Sequence, residues 1–332
     1  MRKKFIILAS FLSVVLLALV AGGLWWKESV KAPGADITKK RFVIKKGETA
    51  SQVGAELQRE GLIKSYFAFK LYLQLSNRTK NLPVGEFDLP SNLSLTALVD
   101  KLMKGPDELW VTIPEGLRRE ELPEKFISTL LLTGTEAQAF KNDFLSESEG
   151  YEGKLFPDTY LFPPDSTATL VIDKMLTTFE TKIASLEKTN NNLTLDQSIV
   201  LASIVERETK TDGERPIVAG ILLKRLSAGW PLEVDASIQY IVSSEACRGK
   251  PSCQWWPQTT VDDRQTPSAY NTYLHTGLPP AAISNPGLSS LRAAFNPQDS
   301  DYWFYLHDEK GIIHFAKTNQ EHNQNIRMYL GN

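Results

Sequence analysis

LASIVERET, residues 201–209, is the segment on which the reading of the larger part of this chain turns. Leu201, Ala202, Ile204 and Val205 leave no polar face, which predicts a helix buried on most sides. Two glutamates follow at its C-terminal end. At i and i+2 on a helix they point about 200° apart, so a single cleft takes only one of them. Glu206 shares its face with Ile199, Ala202 and Ser203, mostly small residues that leave room for a ligand. Glu208 points toward Leu201, Ile204 and Val205. This pattern favours Glu206 as a general acid. A carboxyl in a poorly hydrated cleft has a raised pKa and keeps its proton near neutrality. The bland alternative is a glutamate paired with Arg207 or Arg215 on a helix surface.

Outward from this helix, apolar spacing predicts further helices at 117–132, 136–144, 170–186 and 214–228. Residues 246–287 are rich in Pro, Ser, Thr and aromatics with little periodicity, as a functional surface would be. Its aromatics Trp255, Trp256, Tyr270 and Tyr273 suit ring stacking against a ligand and core packing equally. YWFYLHD (302–308) and IIHFAKT (312–318) flank a short turn with Gly311 and read as a hairpin. A terminal helix to about Leu330 follows the Thr318/Glu321 capping box. Toward the N-terminus, strands at 41–47, 84–89 and 108–114 and helices after Thr49, at 65–76 and at 93–104 make a small α+β module.

Arg2, Lys3 and Lys4 precede an uncharged run from Phe5 to Trp26. As a helix that run spans roughly 33 Å, close to the hydrocarbon core of a bilayer. Trp25 and Trp26 stand where an interfacial belt belongs, and the basic cluster predicts the N-terminus inside and the remainder outside. A cleaved signal peptide would need a shorter apolar core and a small residue where Leu19 stands. Residues 27–40 read as a polar linker. Outside a membrane, Cys247 and Cys253 could form a short-loop disulfide or remain two thiols.

The 332 residues carry 42% hydrophobic and 23% charged side chains and a net charge of −2, which predicts a folded chain and offers no basis for nucleic-acid binding. No nucleotide-binding glycine loop, G-x-S-x-G elbow or zinc spacing occurs, so no cofactor and no metal are expected. Ser185–Lys188 matches S-x-x-K by chance, in a polar helix end with no K-T-G downstream. Asp235, Asp262 and Asp263 are candidates for a second carboxylate.

Five blocks in order resemble the endolytic murein transglycosylases, the YceG-like proteins of bacterial envelopes. They are VTIPEGLRREELPEKF (111–126), GKLFPDTYLFP (153–163), LASIVERET (201–209), TPSAYNTYLHTGLPPAAISNPG (266–287) and FYLHDEKGIIHFAKTNQEHN (304–323). The resemblance implies an α+β architecture: a transmembrane helix (1–26), the linker (27–40), a LysM-like module (41–112) and a mainly helical catalytic domain with a C-terminal β-hairpin (113–332). It implies non-hydrolytic cleavage of the MurNAc–GlcNAc bond to a 1,6-anhydro end, with Glu206 as acid and base. Asp235, Tyr270, Asn271 and, at the helix end, Glu208 become substrate-binding candidates. Peptidoglycan strands and membrane-bound peptidoglycan synthases become expected partners, and the bacterial cytoplasmic membrane the expected location. Two departures stand out: the Cys247–Cys253 loop resembles an insertion, and Arg207 stands where lysine is expected. A hydrolytic muramidase using Asp235, or a non-catalytic wall-binding scaffold, are the alternatives.

Overall fold

The N-terminal run forms one helix, α1 (Arg2–Ser29), in a computed structural model that describes residues 2–45, 47–78, 82–187, 192–250 and 253–331. Lys188, the last residue of the S-x-x-K match, lies outside the described residues. Within α1, Ser10–Ser29 is long and apolar enough to cross a membrane, with a mean hydropathy of 1.7. Phe11, Leu16, Leu17 and Leu19 stand exposed along it, a surface that water disfavours at about 25 cal/mol per Å². The expected linker is shorter than the sequence suggests. The helix continues through Ser29, and the Val30 carbonyl then accepts the Leu95 N–H at 3.0 Å.

The chain divides into two units, residues up to 110 with 161–164, and residues 111–160 with 165–332. In the first, β1 (Lys39–Ile44) and β2 (Gly85–Pro90) pair antiparallel with Phe42 opposite Phe87. Between them run α2 (Ala50–Arg59) and α3 (Tyr66–Leu75), and α4 (Leu95–Lys104) follows. Each helix starts on a hydroxyl cap: Thr49 in a full capping box with Gln52, then Ser65 and Ser94. Such caps contribute about 1 kcal/mol each. Val53, Leu57, Phe69 and Leu73 from the helices close on Phe42 and Phe87 to form the core.

Strands β3 (Leu109–Thr112) and β4 (Thr159–Phe162) pair with each other. The helix anticipated over 117–132 is broken. A 3-10 turn at Arg119–Glu121 precedes α5 (Leu122–Leu130), since Pro123 lacks an N–H and fits only a first turn. Then come α6 (Gly134–Glu147), α7 (Ala168–Ala184), α8 (Leu195–Glu208), α9 (Arg215–Ser227), α10 (Asp235–Ala246) and α11 (Leu288–Phe295). Strands β5 (Phe304–His307) and β6 (Ile313–Ala316) pair antiparallel, Tyr305 opposite Phe315, and α12 (Asn319–Tyr329) follows. Helix α8 is the axis of the second unit: every residue from Ser198 to Val205 is buried, against α9, α10 and α11. Between α10 and α11 the only regular element among the described residues is a 3-10 turn at Asp262–Gln265.

Candidate active site

The last turn of α8 delivers its two glutamates to different surroundings. The Glu206 carboxylate accepts the Gly287 N–H at 3.0 Å and the Ser290 hydroxyl at 2.7 Å, and meets Arg215 Nη2 at 3.4 Å. Arg215 also donates to Ser290 Oγ at 2.9 Å. A Cβ at Gly287 would overlap the Glu115 carboxylate and push that side chain aside. The small-residue face that suggested an open cleft is filled. The Ile283 N–H donates to Ser203 Oγ and the Ser284 hydroxyl to the Ser203 carbonyl, both at 3.1 Å. The side chain of Glu206 keeps only 7% of its exposure. The expectation that this face is open is thereby corrected: small side chains admitted the 283–290 segment instead of a ligand.

Glu208 ends α8. It accepts the Tyr305 hydroxyl at 3.0 Å from β5 and the Ala236 N–H at 3.5 Å from the first turn of α10. Burial pushes its carboxyl up to about 7, the negative charge of Asp235 acts in the same direction, and the two hydrogen bonds offset only part of this. Glu208 lines a cleft of about 620 Å³ together with Asp235, Arg264, Tyr273, Tyr305 and His322.

Asp235 opens α10, where the helix dipole favours an anion. Its Oδ1 accepts the Tyr273 hydroxyl at 2.7 Å and Arg264 Nη2 at 3.3 Å, and its side chain stays half exposed. Burial and the neighbouring carboxylates push the phenols of Tyr273 and Tyr305 upward, so both remain proton donors. Asn271 is fully buried. Its amide donates to the Arg264 and Thr266 carbonyls and its oxygen accepts the Tyr273 N–H at 2.9 Å. It therefore shapes the loop that presents Tyr273. Tyr270 packs on Tyr240 with ring centroids 5.0 Å apart, rather than lining the Glu208 cleft.

Trp255 and Trp256 clamp guanidinium groups. Trp255 lies over the fully buried Arg118 at 4.6 Å and Trp256 over Arg207 at 3.7 Å. The Cys247–Cys253 disulfide, with Cα atoms 5.5 Å apart, ties the end of α10 to the start of this tryptophan loop. A larger hollow of about 730 Å³ lies beside the disulfide. Its walls are mixed surface charges without Glu206, Glu208 or Asp235, so chemistry and not size distinguishes the smaller cleft. Tyr305, Arg264 and His322 had no role in the sequence reading. Tyr305 stands 97 residues from Glu208, and no spacing rule connects them. The His322 Nδ1 is buried without a hydrogen-bond partner among the described residues.

A small β-α-α-β unit and a mainly helical unit built round one buried helix, with a carboxyl cleft at its end, define a mixed α+β architecture that family comparison makes specific. The YceG-like family model matches residues 42–328, and the chain belongs to that family. Endolytic murein transglycosylases of Streptococcus pneumoniae (strain D39) and Bacillus subtilis (strain 168) are each 26% identical to it, over 99% and 86% of this chain. The chain spans 65% of the pneumococcal relative and 84% of the Bacillus one. A crystal structure of a yceG-like protein from Listeria monocytogenes superposes with a TM-score of 0.55 at 28% identity, covering 87% of this chain and 99% of that one.

Proposed function

We propose that this protein is an endolytic lytic transglycosylase of peptidoglycan, with Glu208 rather than Glu206 as its proton donor and acceptor. The observation that carries the choice is the Glu208 carboxyl, pushed up to about 7 at the wall of a cleft. Such a group is protonated in a large fraction of molecules at neutral pH and can also accept a proton. In the reaction it protonates the leaving O4 of GlcNAc as the C1–O4 bond breaks. The resulting carboxylate takes the proton of the muramyl C6 hydroxyl, whose oxygen bonds to C1 and closes the 1,6-anhydro ring. The proton is returned and no water is consumed, so one carboxyl suffices. Asp235 stands in the same cleft and supplies negative charge facing the developing oxocarbenium. Glu206 acts as a structural hub that fixes α8 to α9 and α11.

The names of the relatives support this substrate, and the fold of the Listeria protein supports the framework. Helix α1 anchors the chain in the bacterial cytoplasmic membrane as a single pass, with both units outside. The β1-α2-α3-β2 order supports a LysM-like module. Membrane-bound peptidoglycan synthases are the protein partners the family suggests.

The test is digestion of purified glycan strands by the wild-type, Glu208→Gln and Glu206→Gln proteins, with products read by mass. Anhydro ends from the wild type and none from Glu208→Gln support the reading. Loss only in Glu206→Gln moves the acid to that residue. Reducing ends from the wild type identify a muramidase, a reading favoured by the proximity of Asp235 to Glu208.

A further inference from the structure

Among the described residues, the outer face of α3 is left uncovered. Phe67, Leu71 and Leu75 recur at i, i+4 and i+8, lie on one stripe, and are 70%, 38% and 74% exposed. Ala68, Phe69 and Leu73 on the other side of the helix are buried in the core. One exposed apolar side chain is ordinary, but three in line on a ten-residue helix form a patch that water disfavours.

What stands beside the patch identifies its occupant. Ser65 caps α3, and Lys64, just before it, pairs with Glu28 at 2.6 Å. Glu28 lies in the last turn of α1, two residues beyond Trp26. Trp26 and Val30 pack against the core of the same unit. The end of the apolar helix and the start of α3 therefore lie side by side. A bilayer crossed by α1 has its interface at the level where α3 begins. Lys70 borders the stripe on the same helix, and lysine beside an apolar face is the pattern of a helix seated in anionic headgroups.

We propose that α3 is an interfacial helix: its Phe67, Leu71 and Leu75 face enters the headgroup–acyl boundary of the bilayer that α1 spans, and so holds the first unit against the membrane surface. The inference rests on α1 being the membrane anchor. Ten helical residues rise about 15 Å, so a helix lying in the interface immerses all three side chains, whereas an upright one would reach lipid with Phe67 alone.

The experiment uses the full chain reconstituted in vesicles of phosphatidylcholine and phosphatidylglycerol. Single variants Phe67→Cys, Leu71→Cys and Leu75→Cys, with Ala55→Cys on the exposed side of α2 as control, carry an environment-sensitive fluorophore. Labelling without reductant leaves the native disulfide intact. Insertion of α1 is checked by resistance to carbonate extraction. The expected result is a blue shift at 67, 71 and 75, with quenching by shallow spin-labelled lipid at least about twofold stronger than at 55. Retention in carbonate with all three probes as water-exposed as the control overturns this inference alone. Probes exposed in pure lipid but shielded in native membranes also overturn it, and assign the face to a protein partner. Release of the chain by carbonate overturns the anchor and this inference with it.

Discussion

A carboxyl with a pKa near 7 loses its proton across the neutral range, and for Glu208 that loss has two measurable consequences. In the role proposed for it, its capacity to donate a proton declines as pH rises through about 7, so kcat/KM for the proposed strand cleavage should fall on that limb. Glu208→Gln should lower the rate by about 10²–10⁴-fold, as removal of a positioned acid does. The same substitution changes stability in the opposite sense. Below the ordinary carboxyl pKa both folded and unfolded chains hold the proton. As pH rises from there to about 7, the unfolded chain ionises freely while the folded one resists, so the native state loses stability over that window. Glu208→Gln removes this loss, and its thermal midpoint should exceed that of the wild type at pH 8 but not at pH 4. Glu206→Gln differs. It weakens the charge-assisted contacts to Gly287, Ser290 and Arg215, and should cost about 1–3 kcal/mol by denaturant titration while anhydro products still form.

The elements around the site are held by ties both near and distant in sequence. The disulfide closes a short loop at the end of α10 and steadies Trp255 and Trp256 over Arg118 and Arg207. Arg118 in turn donates to the Tyr240 carbonyl and to the Ser243 and Ser244 hydroxyls of α10, whose first residue is Asp235. Replacing both cysteines with serine should lower stability by about 2 kcal/mol, the loop-closure value for so few residues. A thermal-shift measurement with and without reductant checks this, and an unchanged midpoint would leave the tie without energetic weight. At the other end of α8, Thr194 and Gln197 form a full capping box, and Thr194→Ala should cost about 1 kcal/mol.

On the scale of the whole molecule, Glu208 has a counterpart in the partly buried Glu152. Burial and the charge of Glu120 push the Glu152 carboxyl up to about 8, although it accepts the Arg119 N–H and Asn285 Nδ2. Both groups favour the folded state at acid pH, so the second unit should lose stability between the ordinary carboxyl range and pH 8. Glu152→Gln should flatten the upper part of that slope, as followed by melting at successive pH values. Fractionation examines the anchor separately: the full chain should sediment with membranes and resist carbonate, and a shortened soluble product would contradict it.

Much of the fold was legible because it depends on neighbours a few residues apart. The uncharged run of α1, the start of α2 after Thr49, the segments read as helices at 65–76 and 93–104, and the apolar run of α8 are local signals, and the structure carries each as a helix. The pair of glutamates at the end of α8 was also visible, as was their divergence by about 200°. Which of the two meets a cleft was not. Small residues beside Glu206 are as compatible with close packing as with open space, and only the folded chain shows Gly287 and Ser290 filling that side. Glu208 becomes distinct through Tyr305 and Asp235, brought to it by β5 and α10. A pKa depends on charges and exclusion of water in three dimensions, so it has no counterpart in spacing along the chain.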